Sequence, residues 1–216
     1  VLQKTSQEHP DIAVFINSYL PHWLEKKYLL TNTRIIHLST DCVFSGKRGG
    51  YKEDDLKDGE TYYDRSKALG ELINDKDLTL RMSIIGPDID PEGTGLFNWF
   101  MKQKGLVFGY SKVFWNGITT IELARGIDAA ITEGLTGLYH LVPPEMKIDK
   151  YSLLCLFKEV FNKSDVEIKK DEKIVLDKSL INTRKDFNFS VKSYIDQIND
   201  MKTWIDNHRT MYQHYN

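Results

Sequence analysis

The chain has 216 residues, 41% of them hydrophobic and 28% charged, with a formal net charge of -2. That length suits one large or two small globular domains with a sizeable core, and the near-neutral balance gives no reason to expect a nucleic-acid partner. Two cysteines, Cys42 and Cys155, make no disulfide framework and point to a reducing cytoplasm. No apolar run is long enough to cross a bilayer, so no membrane partner is expected. The N-terminus, "VLQKTSQEHP", has neither an initiator methionine nor a signal-peptide pattern and reads as the middle of a longer polypeptide.

"DIAVFINSYLPHWLEKKYLL" carries Ile12, Phe15, Ile16, Tyr19, Leu20 and Trp23 at helical spacing, and Pro21 should kink or end that helix. "RIIHLS" (34–39) predicts a strand buried on both faces, followed by a glycine-rich polar loop over 41–58. "GETYYDRSKALGELIND" (59–75) predicts a helix, "LTLRMSIIG" (78–86) a strand, and "LFNWFMKQK" (96–104) a short helix. "LVFGYSKVFWNG" (106–117) offers one or two strands around a turn. Thr119 with Glu122 has capping-box spacing and should start the next helix. A strand over 137–142, a helix over 149–161, a short strand over 166–170 and an amphipathic helix over 194–212 complete the chain.

This alternation is the rhythm of a parallel sheet with helices on both faces, whose ligands sit beyond the carboxyl ends of the strands. Ser39, Thr40 and Asp41 fall at such an end. Tyr63 and Lys67 lie four apart on the following helix and share a face. An ammonium beside a phenol lowers the phenol's pKa, and a tyrosine so tuned can exchange a proton with a substrate oxygen. With the Thr40 hydroxyl as a second donor, a carbonyl would be polarised toward a hydride, which a cofactor must supply. Of 11 tyrosines, Tyr63 alone has a lysine at the fourth position after it.

At these residues the sequence resembles the extended short-chain dehydrogenase/reductases. Within them "STDCVFSG", "YKEDD", "YDRSKALGE" and "TLRMSIIGP" are similar to the dTDP-4-dehydrorhamnose reductase branch. The resemblance runs from about residue 10 to about 140 and implies an α/β fold. That fold is a partial Rossmann-like doubly wound parallel sheet with a smaller C-terminal substrate lobe. Residues 1–88 and 118–137 would form the second half of the dinucleotide-binding domain, and 89–117 with 138–216 the substrate lobe. The resemblance implies Tyr63 as the acid, Lys67 as its partner and a ribose contact, and Thr40 as the carbonyl donor, with Ser39 as a stand-in. Asp41, Cys42 and Trp115 would border a nucleotide-sugar substrate; Asn17, Ser83 and Ile84 would lie along an NADP or NAD cofactor.

The chain also departs from that pattern. Cys42 replaces a tyrosine in the strand-tip motif, and Asp64 replaces the glycine after the catalytic tyrosine, where a carboxylate could oppose Lys67. No Gly-x-Gly-x-x-Gly or Gly-x-x-Gly-x-x-Gly precedes Ser39; "SGKRGG" (45–50) follows the wrong strand and reads as a surface loop. By the family's layout on the order of 70 residues would precede residue 1. A fragment of a longer reductase is therefore expected, with weak or no cofactor binding on its own.

The six histidines show no metal spacing; His37 and His140 read as hydrogen-bonded core residues. Trp99, Phe100, Phe108, Phe114 and Trp115 suit either the core of the C-terminal lobe or a floor under a nucleotide base. Arg81 suits either a phosphate contact or an ion pair with a helix. The expected activity is NAD(P)H-dependent reduction of the 4-keto group of a nucleotide-linked deoxysugar for surface polysaccharide synthesis. A dehydratase or epimerase of the same superfamily stays open, because Asp41 adds an acid beside Thr40. So does a non-catalytic subunit like the beta subunit of methionine adenosyltransferase. A homodimer is one assembly this reading allows.

Overall fold

A computed structural model of the chain describes residues 3–144 and 146–215. The first helical stretch runs through α1 (Gln3–Glu8), α2 (Pro10–Val14), a π-helical turn (Phe15–Tyr19) and α3 (Leu20–Tyr28). Pro21 explains the irregularity. It has no N–H to give the Asn17 carbonyl, and the chain widens so that Leu20 N–H donates to Phe15 O.

The central sheet is parallel, in the order β1–β2–β7, from β1 (Ile36–Thr40), β2 (Leu78–Met82) and β7 (Gly137–His140). Ile36 pairs with Leu78 and Thr40 with Met82; Leu78 pairs with Gly137 and Arg81 with His140. Every residue of β2 is buried, Thr79 and Arg81 included, as an inner strand covered on both faces requires. β1 departs from its predicted burial on both faces: it lies at the sheet edge, and Leu38 is 40% exposed. Leu78 N–H donates to Ile35 O, so the backbone groups of Ile36, Leu38 and Thr40 turn away from β2 toward the open side. The predicted strand over 78–86 breaks at Ser83, and β3 (Ile84–Ile85) then pairs with β6 (Ile118–Thr119).

The two faces of the sheet differ in chemistry. One is apolar: Leu78, Leu80, Met82, Tyr139 and Leu141 pack with Leu123 and Ala130 of α6 (Thr120–Thr132). Thr119 caps α6 by accepting from Glu122 N–H; the Glu122 carboxylate accepts instead from Lys192 N–H, so half of the expected capping box forms. The other face is polar and lies toward α4 (Tyr62–Leu69). There Arg81 makes two hydrogen bonds to Glu71, of 2.8 and 2.7 Å, and Ser39 Oγ donates to Glu71 at 2.6 Å. Arg81 Nη1 also donates to His140 Nε2 at 2.7 Å, which leaves His140 Nδ1–H for Ile181 O. The structure thus assigns Arg81 to an ion pair, and places His140 as a fully buried, hydrogen-bonded residue.

The C-terminal lobe holds α5 (Leu96–Lys102), β4 (Gly105–Tyr110), β5 (Val113–Trp115), β8 (Ile148–Asp149), α7 (Lys150–Val160), β9 (Val166–Asp171), β10 (Leu176–Asp177) and α8 (Tyr194–Asn207). β4 pairs with β9; β5 lies between β10 and β8. Phe97, Phe100, Trp115, Leu153, Phe157 and Ile198 belong to its core, whereas Trp99 and Phe108 stay exposed. Among the described residues no helix is long and apolar enough to cross a membrane, and no group of His, Cys, Asp or Glu could hold a metal ion.

Candidate active site

Thr40 is the last residue of β1, extended at φ -142°, ψ 152°, and it caps the 3-10 turn Asp41–Val43. Its hydroxyl accepts from Cys42 N–H at 3.1 Å and donates to Asp41 Oδ1 at 3.2 Å. Tyr63 reaches the same corner from the first turn of α4, and the Thr40 side chain acts on its phenol, favouring ionisation against burial. The phenol and threonine hydroxyl expected to share a ligand atom are therefore brought together, with Asp41 and Cys42 beside them.

Burial dominates the electrostatics here. It pushes the Tyr63 phenol up to about 12, with the neighbouring Cys42 adding to the shift. It pushes the Cys42 thiol up to about 11 and raises the Asp41 carboxyl above its ordinary value. Cys42 Sγ also accepts from Gln3 Nε2 at 3.2 Å.

Lys67 does not join this group. Its ammonium donates to Leu38 O at 2.6 Å and lies 3.5 Å from His37 Nε2. The Tyr63 phenol is raised, not lowered, and burial is the largest cause. The pose of Lys67 is set by β1: Leu38 turns its carbonyl to the edge of the sheet away from β2, and Lys67 caps it.

Two devices set the pose of α4. Thr61 and Asp64 form a reciprocal capping box, each backbone N–H bonded to the other's side chain at 3.1 Å. Asp64, which the sequence raised as a rival to Lys67, is thus the helix cap. At the other end, a side chain at Gly70 would place its Cβ 1.8 Å from Asn17 O, so only glycine allows the helices this close. Asn17 Nδ2 donates to Ser66 Oγ and Ser18 Oγ to Ser66 O, tying the π turn to α4. The Asn17 side chain is thereby used in positioning α4.

Ser39 points into the Glu71–Arg81 network and away from the Thr40 hydroxyl. Ser83 O accepts from Ile118 N–H, and Ile84 stands half exposed at the strand tips. Trp115 is only 4% exposed: the Lys150 ammonium lies 4.5 Å above its ring and Tyr194 stacks at 6.1 Å. Lys150 and Lys178, both missed in the sequence, act electrostatically on Asp41. "IDKYSLL" signals a helix start, since Asp149 accepts from Ser152 N–H, but the neighbourhood of Trp115 comes only from the β5–β8 pairing. A cavity of about 820 Å³ lies elsewhere, against Asn116, Tyr139, Pro143, Asp177 and Lys185, and none of Thr40, Tyr63 or Lys67 lines it.

Residues 4–85 match the family model of the RmlD substrate binding domain. Among curated proteins, the spore coat polysaccharide biosynthesis protein SpsK of Bacillus subtilis (strain 168) is 38% identical over 64 residues. That match covers 29% of this chain and only 23% of SpsK. A hypothetical dTDP-4-dehydrorhamnose reductase from Sulfolobus tokodaii superposes with a TM-score of 0.72 at 25% identity, over 88% of this chain and 72% of that one. The dTDP-4-dehydrorhamnose reductase of Bacillus anthracis, solved in complex with NADP, gives 0.77 at 17% identity, over 94% and 76%. The chain is thus similar to the dTDP-4-dehydrorhamnose reductases in fold, and it carries the sequence pattern of the RmlD substrate binding domain over residues 4–85.

Proposed function

We propose that the chain carries the acid and substrate-binding residues of an NAD(P)H-dependent enzyme that reduces the 4-keto group of a nucleotide-linked deoxysugar. Its product would feed surface polysaccharide synthesis. The observation that supports this reading most is the Tyr63 phenol placed beside the Thr40 side chain at the tip of β1. With the Thr40 proton turned from Asp41 Oδ1 to the ligand, both hydroxyls donate to one carbonyl oxygen and stabilise the charge that develops on it.

The raised pKa of Tyr63 fits the direction of reduction. At neutral pH the phenol keeps its proton and can deliver it to the nascent alkoxide. A reduced nicotinamide would supply the hydride to the carbonyl carbon. The side chains present fit the ribose and nicotinamide end of such a group: Tyr63 and Lys67 share a helix face, and Ile84 offers an exposed apolar surface. Once Tyr63 has given up its proton, an ammonium that swings from Leu38 O would stabilise the phenolate.

One observation favours a second reading. Asp41 is buried beside Thr40 with its pKa raised, as a second acid for dehydration would be. The test is product analysis after incubating the full gene product with a nucleotide-linked 4-keto-deoxysugar and NADPH or NADH. A product heavier by two hydrogens supports reduction. An isomer or a dehydrated product points to an epimerase or dehydratase, and no conversion points to a non-catalytic role.

A further inference from the structure

Among the described residues, Lys150 is a half-buried cation that no hydrogen bond or ion pair accounts for. It opens α7 directly after the cap residue Asp149, and the antiparallel pairing of β5 with β8 sets it over Trp115. Among the described residues its ammonium makes no hydrogen bond and no ion pair. Only the face of the Trp115 ring lies under it. Across from it stands Asp41, whose carboxyl feels Lys150 and Lys178 without either coming within ion-pair distance. Beneath Trp115, Tyr194 is 9% exposed and its hydroxyl has no partner.

A half-buried ammonium held off its nearest carboxylate is costly unless an anion visits it. Trp115 cannot serve as an open stacking surface, because Lys150 covers one face and Tyr194 stacks on it as well. The group presented to a ligand at this wall is the ammonium on its indole platform. Its only counterpart in a nucleotide sugar is the diphosphate, since base, ribose and sugar are uncharged.

We propose that Lys150, seated on Trp115 and facing the Thr40–Tyr63 corner, binds the diphosphate of the nucleotide-linked substrate. The assignment rests on the function proposed above and adds the residue that reads the anionic part of the substrate. Lys150 would hold the nucleotide end while Thr40 and Tyr63 hold the carbonyl, fixing the sugar between two anchors.

Calorimetric titration with dTDP, UDP and thymidine tests it, comparing the wild type with Lys150→Met and Lys185→Met. Lys185 lines the separate cavity and serves as a charge control. The expected result is that Lys150→Met weakens dTDP and UDP binding about 10–100-fold, the worth of one charge-assisted hydrogen bond. Thymidine binding should not move, and Lys185→Met should bind dTDP like the wild type. If Lys150→Met binds dTDP as the wild type does, the role of Lys150 is overturned and the reductase reading stands. If the wild type binds neither diphosphate, both are overturned. Should Lys150→Met fail to fold, the structure of the wild type with dTDP decides: a diphosphate out of hydrogen-bonding reach of Lys150 Nζ overturns the assignment.

Discussion

Ser39 and Thr40 are neighbours in the chain and belong to two different buried charged clusters. Ser39 faces Glu71, Arg81 and His140, where the carboxylate oxygens and guanidinium nitrogens find partners at hydrogen-bond distance. Burial pushes against ionisation of Glu71, but the Arg81 hydrogen bonds and charge hold its carboxyl below the ordinary value. Thr40 faces Asp41, Cys42, Tyr63 and, farther off, Lys150 and Lys178, where burial wins and the acids are pushed up. The strand's alternation sends consecutive side chains to opposite faces and so separates the two environments. The first cluster closes on its own ion pair and holds the fold together; the second buries its acids with no ion pair among the described residues to offset the burial, as functional sites commonly do.

The sharpest way to break this contrast is to unpair the satisfied cluster. Arg81→Met leaves Glu71 buried without its main partner and should cost about 3–5 kcal/mol, read as a lower urea midpoint. Adding Glu71→Leu to that variant should recover much of the loss, since the stranded charge is gone. Lys150→Met, in the Thr40 cluster, removes an ammonium that makes no ion pair among the described residues and should leave the midpoint unchanged or raise it.

Next in size is a pH effect. His37 and His140 are both held down to about 4 from 6.5, chiefly by burial, with Lys67 and Arg81 as the opposing charges. Between those values the unfolded chain takes up protons that the folded chain refuses. The contribution of these residues is fully present above pH 6.5 and is lost as pH falls toward 4. The urea midpoint should therefore drop between pH 7 and pH 5, and by less in His140→Gln.

The smallest expected effect is at the helix that carries Tyr63. Thr61→Ala removes the cap hydroxyl from Asp64 N–H and should cost about 1 kcal/mol in thermal or urea unfolding. Turnover should fall by more than that loss of stability explains, because the cap fixes the first turn of α4, where Tyr63 sits.

The sequence made legible whatever depended on local pattern. The strand β2, the cap at Thr119 and the strand tip at Thr40 followed by the Tyr63 helix all have signatures within a few residues. Three features had none. The burial of β1 depends on what lies beside its outer edge, which its own letters do not encode. The target of Lys67 depends on which way the Leu38 carbonyl turns, and so on strand register. Lys150 meets Trp115 only through the long-range pairing of β5 with β8. Asp64 was readable, since Thr61 and Asp64 have capping-box spacing, but its place beside Tyr63 drew attention to charge instead of to the helix end.

The central claim is that Thr40 and Tyr63 act together on one carbonyl oxygen. Its most direct test is kcat/KM for reduction of a nucleotide-linked 4-keto-deoxysugar by the full gene product, compared with Tyr63→Phe, Thr40→Val and the double variant. The account predicts a loss of about 10²–10⁴-fold for Tyr63→Phe. It also predicts a double variant much less impaired than the product of the two single losses, as expected of groups that act as a unit. Full activity in Tyr63→Phe, or losses that simply multiply, would contradict it.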